Sequence, residues 1–331
     1  MSLSILLLAG GVGGAKMAEG LMHSDFSQGL SILGNISDDQ EIHGLWVSPD
    51  IDTLTYTLTN RIDTAKGWGL KDESNRTLDA LKLLGEDTWM YLGDQDFATH
   101  IYRTQLRKKG LRPSIIAADI AAKFGLKTPL ILPTDDIVQT RVNTDLGWLD
   151  FQSYFVRYQC QPEISEISFK GADTAKATPE ALAAISDADV IIFAPSNPIV
   201  SIGAILAVPG IRSAIETSNA YKMAVSPIVA GKTVKGPADK MLRALNIPCN
   251  ALGVAQCYQD LIDVLVVDNL DAQLCPAIEA LGITTYCTDT MMHDRLDKTR
   301  LANQLIAFQQ VATSNSSYAD ASSTSSEQPL L

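Results

Sequence analysis

The sequence predicts an α/β protein: a Rossmann-like, doubly wound, mostly parallel sheet that carries a helical insertion and a small β excursion. Three observations predict it. Short continuous apolar runs, the pattern of strands buried on both faces, recur along the chain. Helical patterns lie between most of them, which is the alternation of βαβ units. The first run passes directly into four glycines that open a helical pattern, as in the ligand-binding turn of doubly wound folds.

Residues 3–8 (LSILLL) read as the first strand, followed by Gly10, Gly11, Gly13 and Gly14 and a helix over 15–22. A second strand is expected at 30–33. Residues 34–128 break the alternation with helical patterns at 52–59, 75–84 and 97–109, and Ser114 reads as the N-cap of a helix over 115–124. This stretch reads as a helical insertion over one end of the sheet. Residues 137–168 alternate polar and apolar around Asp145-Leu146-Gly147, a hairpin signal and hence the β excursion. Apolar runs at 190–193, 223–225, 264–267 and 283–286 then resume the alternation, with helical patterns at 179–186, 237–245 and 274–281. A final helix is expected near 296–310. From 314 to 326 seven of thirteen residues are serine, so 1–312 read as one domain and 313–331 as a disordered tail.

With 331 residues, 46% hydrophobic and 19% charged, the chain buries a full core without staples, which excludes a mini-protein or a disordered chain. The net charge of -12 leaves no basic surplus for a polyanion, so neither nucleic acid nor an anionic membrane is an expected partner. The N-terminal apolar run is too short to span a bilayer and lacks a basic flank. Cys160, Cys249, Cys257, Cys275 and Cys287 show no CxxC or CxxH pairing, so neither a zinc site nor a disulfide framework is indicated, and a reducing cytoplasm fits best.

Four segments carry candidate chemistry. In GGVGGAK (10–16) the glycines let backbone N–H groups approach a phosphate, the helix N-terminus adds partial positive charge, and Lys16 adds a full one. The spacing matches neither the Walker A nor the GxGxxG pattern, and the plain alternative is a tight turn without ligand. Asp38 and Asp39 follow a strand, and Asp50 and Asp52 precede or open a helix. Paired carboxylates without nearby His or Cys suit Mg²⁺ with a phosphorylated substrate, against the plainer reading of a cap and solvated loop acids. In LGDQDFATHIYRT (92–104), Asp96, His100 and Arg103 or Thr104 share a helix face that could meet a polar planar ligand, although a lone helical histidine is as often structural. In PSNPIVSIG (195–203), Ser196, Asn197 and Ser201 lie on a Pro-fixed loop at the carboxyl end of a strand. Ser226 and Lys232 repeat the theme after the next strand, and the bland alternative for each is ordinary turn capping.

Taken together, GGVGGAK, NISDD, HGLWVSPDIDT, GWG, LGDQDFATHIYRT, PSNPIVSIG, SPIVAGK and GPA resemble, in order from about residue 3 to about 294, the 2-phospho-L-lactate transferase family of coenzyme F-420 biosynthesis. The resemblance implies a Rossmann-like homodimer that takes a guanosine diphosphate carrying a three-carbon acid. It implies transfer of the phospho-acid to the ribitol hydroxyl of the deazaflavin Fo, with GMP released and Mg²⁺ required. By the same resemblance Asp38 or Asp39 and Asp50 or Asp52 fall where the family holds metal and deazaflavin. The helix with Asp94, Asp96, His100 and Arg103 falls near the deazaflavin. Gly10 to Lys16 and Ser196-Asn197-Pro198 fall near phosphates and nucleotide. Gln95 departs from the arginine common there.

Such a transfer needs alignment and charge neutralisation more than a strong base, and one aspartate, Asp52 foremost with Asp50 beside it, is expected to take the hydroxyl proton late. Two other classes compete. A nucleotide-sugar-binding regulator would share the fold without catalysis. A nicotinamide-dependent dehydrogenase rests only on the glycines and lacks an acidic residue at the end of the second strand. Which acid is carried (lactate, enolpyruvate or glycerate) is open at this level. Residues 38–96 hold thirteen Asp or Glu against five Lys or Arg, so the acidity concentrates where metal and deazaflavin are expected.

Overall fold

The computed structural model describes residues 3–234 and 236–323. The chain opens with β1 (Ile5–Ala9), α1 (Gly11–Met22) and β2 (Leu30–Gly34). A long crossover follows: the hairpin β3 (Gln40–Ile42) and β4 (Leu45–Val47), then α2 (Pro49–Leu58), α3 (Arg76–Leu83), α4 (Asp94–Lys108) and α5 (Pro113–Lys123), which returns to β5 (Leu130–Ile131). The excursion comprises β6 (Gln139–Thr144), β7 (Gly147–Asp150) and β8 (Ile164–Lys170). The second half runs α6 (Pro179–Ser186), β9 (Val190–Phe193), α7 (Gly203–Leu206), α8 (Ile211–Thr217) and β10 (Tyr221–Val225). It continues through the hairpin β11 (Ile228–Val229) and β12 (Lys232–Thr233), then α9 (Ala238–Ala244), α10 (Ala251–Cys257) and β13 (Val264–Asp268). It closes with α11 (Cys275–Glu279), β14 (Thr284–Thr288) and α12 (Arg295–Ser323).

Among the described residues seven strands form the main sheet in the order β14-β13-β10-β9-β1-β2-β5, every pair parallel. Counted along the chain this is 3-2-1-4-5-6-7, the doubly wound order with its reversal between β1 and β9. The apolar runs are continuous because both faces are covered. In β1, Ile5, Leu7 and Ala9 join the core under α1, α2, α5 and α12, while Leu6 and Leu8 join the core under α6, α7, α8 and α10. Each of the leucine and isoleucine side chains contributes about 1.5–3 kcal/mol by leaving water.

Several expected boundaries shift for local reasons. α1 begins at Gly11, so the glycines form its first turn rather than preceding it. α2 begins at Pro49, a residue suited to a first helical position because it lacks the N–H that would go unbonded there. Arg112, not Ser114, is the N-cap of α5, because Pro113 takes the next position, and the Ser114 N–H donates to Asp135. The stretch read as a helical insertion contains the β3–β4 hairpin, and its α2 lies in the sheet-covering layer through Ile51, Leu54 and Leu58.

The β excursion is a three-stranded antiparallel sheet with the expected turn after Thr144. Its alternating residues 153–157 form a π turn instead of a strand, which sets Phe151 and Phe155 on one side, stacked with ring centres 5.7 Å apart. α12 continues to Ser323, into the segment read as a tail, while residues 324–331 lie outside the described residues. Among the described residues no single helix is long and apolar enough to cross a membrane. The apolar pair Pro198–Leu206 and Ile211–Thr217 bends by 84° and packs Ile202, Ile205, Ile211 and Ile215 into the core.

Candidate active site

In doubly wound sheets ligands bind beyond the carboxyl ends of the strands where the order reverses. Here β1 and β9 are the two strands at that reversal, and the segments that follow them, Gly10–Gly14 and Pro195–Ser201, lie side by side and contribute to the lining of a cavity of about 660 Å³. Ser196 clips the two together: its hydroxyl donates to the Gly10 carbonyl (2.7 Å) and accepts from the Gly10 N–H (3.2 Å). A Cβ on Gly13 would stand 2.1 Å from the Pro195 carbonyl oxygen, so this glycine is required by the closeness of the two loops. Gly11 differs. It has φ +61° with open space before it, a backbone turned toward the cavity.

Lys16, Asn197, Ser201 and Ser226 also line the cavity. Lys16 Nζ donates to the Met292 carbonyl at 2.8 Å, tying α1 to the β14–α12 loop. Asn197 Oδ1 accepts from the N–H groups of Ile199 (2.9 Å) and Val200 (3.3 Å) and so shapes the turn that presents Ser201. Pro198 is buried behind that turn, and the exposed Lys232 lies outside the lining, where Thr233 and Val234 stand instead.

The four aspartates read as one acidic group divide. Asp38 and Asp50 line the cavity. Burial, together with the charges of Asp50 and Asp39, lifts the Asp38 carboxyl well above its usual range, and its buried Oδ1 has no hydrogen-bond partner among the described residues. Burial raises Asp50 to about 6, against the bonds it accepts from Asn35 Nδ2 (2.9 Å) and the Gly11 N–H. Asp39 points away. Its Oδ2 accepts from Ser48 Oγ (2.7 Å) and Trp46 Nε1 (3.1 Å), and burial raises it to about 7.

Asp52, the expected proton acceptor, is likewise outside the cavity lining. Arg103 holds both its oxygens, Nη1 to Oδ2 at 3.1 Å and Nη2 to Oδ1, in a buried ion pair. The helix face of Asp96, His100 and Arg103 does form, yet it packs inward on Asp52 rather than toward a ligand. His100 Nδ1 lies 3.1 Å from Arg103 Nη1, and burial lowers the ring to about 4, so it is neutral at pH 7. Burial and the nearby Asp52 charge raise Asp96 to about 7. Asp94 accepts from Ser74 Oγ and the Thr77 N–H, fastening the start of α3. Gln95 is exposed, with its N–H on Glu73 at 2.9 Å.

Sequence reasoning missed two walls. Trp68, Trp89, Tyr91, Phe151 and Phe155 line the cavity, Trp68 meeting Tyr91 edge-on at 5.8 Å. Only the GWG motif marked any of them. Thr290 to His293, beyond β14, form the other wall, and nothing local in that segment signalled it.

Among the described residues no group of three or more His, Cys, Asp or Glu is placed to hold a metal. The Asp38–Asp50 pair nonetheless fits Mg²⁺, which takes one or two carboxylates and completes its octahedron with water and phosphate oxygens. Two mutually repelling buried acids, one with an unpartnered oxygen, are a donor set that a cation would relieve.

Fold and site together define a doubly wound α/β protein whose switch-point cavity is lined by glycines, two acids and aromatic rings. The model of the family 2-phospho-L-lactate transferase CofD matches residues 5–306, and the chain belongs to that family. It is 40% identical to a phosphoenolpyruvate transferase of Streptomyces griseus, covering 88% of this chain and 93% of that one. It is 34% identical to a 2-phospho-L-lactate transferase of Methanococcoides burtonii, covering 87% and 94%. A solved structure of a UPF0052 family member from Bacillus halodurans has the same fold, with TM-score 0.62 at 14% identity over 92% of this chain and 99% of that one.

Proposed function

We propose that the protein transfers a phospho-three-carbon-acid group from a guanosine diphosphate donor to the ribitol hydroxyl of the deazaflavin Fo, releasing GMP, in coenzyme F-420 biosynthesis. The observation that supports this reading is a cavity whose lining combines the glycine-rich turn and two buried acids with five aromatic rings. Phosphoenolpyruvate is the favoured acid, because relatives at 40% and 41% identity bear the name phosphoenolpyruvate transferase, against 34% for the 2-phospho-L-lactate transferase.

In this reading the first turn of α1 receives the diphosphate, with Lys16 beside it. Asn197, Ser201 and Ser226 contact the nucleotide, and the Trp68–Tyr91 and Phe151–Phe155 pairs hold the planar deazaflavin. The ribitol oxygen bonds to the phosphorus that carries the acid, and the bond from that phosphorus to the bridging oxygen breaks. GMP leaves with that oxygen and the bond's electron pair. Asp38 and Asp50 would hold Mg²⁺, which when bound offsets charge on the diphosphate and on leaving GMP. The hydroxyl proton passes late to one of these two carboxylates. Asp52 is replaced in that role because Arg103 occupies it. A homodimer in a reducing cytoplasm goes with the same reading.

The test combines purified protein, Fo and Mg²⁺ with each of the three guanosine diphosphate donors. GMP and a phosphorylated deazaflavin are expected, fastest with the enolpyruvyl donor. Absence of both products with every donor would overturn the reading, and tight nucleotide-sugar binding without Fo binding would replace it with a regulator.

A further inference from the structure

The five cysteines are scattered in sequence, yet two of them meet in the fold. Cys275, at the start of α11, and Cys287, on the edge strand β14, place their Sγ atoms 3.1 Å apart, both thiols free and half-buried. A shift of about 1 Å brings such sulfurs to the bonding distance of about 2.05 Å.

Cys287 sits at the root of a segment that lines the cavity, and Cys275 follows a turn that is hydrogen-bonded to a second lining segment. Three residues past Cys287, the Thr290 N–H and hydroxyl both donate to Asp268 Oδ2 at 2.9 Å, and Thr290 to His293 form one cavity wall. Cys275 follows the turn Asn269–Leu274, in which Asp271 Oδ2 accepts from the Ala230 N–H at 2.8 Å. Ala230 lies in the tip of the β11–β12 hairpin, whose Val229 and Thr233 form another part of the lining.

We propose that Cys275 and Cys287 are a reversible dithiol–disulfide pair that ties these two segments together. The oxidant is a small-molecule disulfide. The Cys275 thiolate attacks the small disulfide. It displaces one small thiolate and forms a mixed disulfide. Cys287 then gives up its proton and attacks the Cys275 sulfur, and the second small thiolate leaves. The pair loses two electrons and two protons, and one small disulfide becomes two thiols. In a reducing compartment protein disulfides are transient and redox-sensing, which is the behaviour expected of this pair.

The test treats the folded full chain with excess oxidised glutathione, blocks remaining thiols, and maps the products by mass. The expected product has lost two hydrogens, joins the peptides of residues 275 and 287, and reverts with dithiothreitol. Its unfolding midpoint rises by roughly 5 °C, because the bond closes a short loop in the unfolded chain. Cys287→Ser is expected to stop at a glutathione adduct on Cys275. Links through Cys160, Cys249 or Cys257 instead, or a stable glutathione adduct in the unaltered chain, would overturn the proposal. A second arm rests on the nucleotide reading above: GMP affinity by calorimetry is expected to differ at least about threefold between the two redox states. Equal affinities alongside a mapped 275–287 bond would overturn only the coupling to the cavity, and GMP binding in neither state would count against the nucleotide reading instead.

Discussion

Asp50 and Asp52 lie two residues apart on α2, yet their surroundings give them opposite energetics. Asp52 is matched by a buried arginine, so Arg103→Met strands a charge without its partner. The expected cost is about 3–5 kcal/mol of unfolding free energy, measured by denaturant titration. Asp50 faces a like charge, and Asp50→Asn relieves it while keeping an oxygen for Asn35 and Gly11. Stability is expected to hold or rise as turnover falls by roughly 100-fold or more. A large stability loss in Asp50→Asn would mean that the acid is structural.

Asp96 carries a pH signature. Its carboxyl is raised from 3.8 to about 7, so between those values the folded chain keeps a proton that the unfolded chain has released. Asp96 therefore costs stability as pH rises through that window, with the full penalty above 7. Asp96→Asn is expected to match the parent near pH 4 and exceed it by about 1–3 kcal/mol at pH 8, read as the pH dependence of thermal unfolding. The pairing that decides these roles spans 51 residues from Asp52 to Arg103, which is why no local pattern separated Asp50 from Asp52.

At the level of elements, the β1–α1 turn was legible because its chemistry is local: an apolar run, then glycines, then a helix. What the sequence left hidden is which glycine serves packing and which serves access. Gly13→Ala drives a Cβ into the Pro195 carbonyl, so either α1 or the loop after β9 must move, at an expected cost of about 2–4 kcal/mol. Gly11→Ala meets no atom within 4 Å and is charged only for its positive φ, about 1–2 kcal/mol. Thermal unfolding of the two variants checks the order, and the reverse order would mean that the loops are not in contact. The π turn at residues 153–157 failed to show for the converse reason: an alternating pattern fits a strand until packing onto the cavity bends it. At α5 the proline outweighed the serine, since a proline settled in the first turn fixes the cap one residue before it.

On the scale of the whole molecule, strand positions were readable from apolar runs, and the reversal between β1 and β9 follows from how doubly wound sheets are built. The aromatic end was not readable, since its residues come from the α2–α3 connection, the approach to α4 and the turn after β7, and only the fold joins them. This division of labour sets a test of the molecule as a two-ended cavity. In the proposed reading, glycines and acids at the sheet's reversal serve the donor, and aromatics carried on the added segments serve the acceptor. Removing a stacking ring costs roughly 1–3 kcal/mol, about 5- to 150-fold in affinity. Trp68→Ala is therefore expected to raise the KM for Fo by that factor while leaving the KM for the guanosine diphosphate donor within about twofold. Trp68 is 40% exposed, so its loss opens no core cavity, and the unfolding midpoint is expected to stay within a few degrees of the parent. Steady-state kinetics with each substrate varied in turn separates the ends. A rise in donor KM with Fo unchanged would exchange them, placing the guanine base on the aromatic wall and the deazaflavin beside Thr290 to His293.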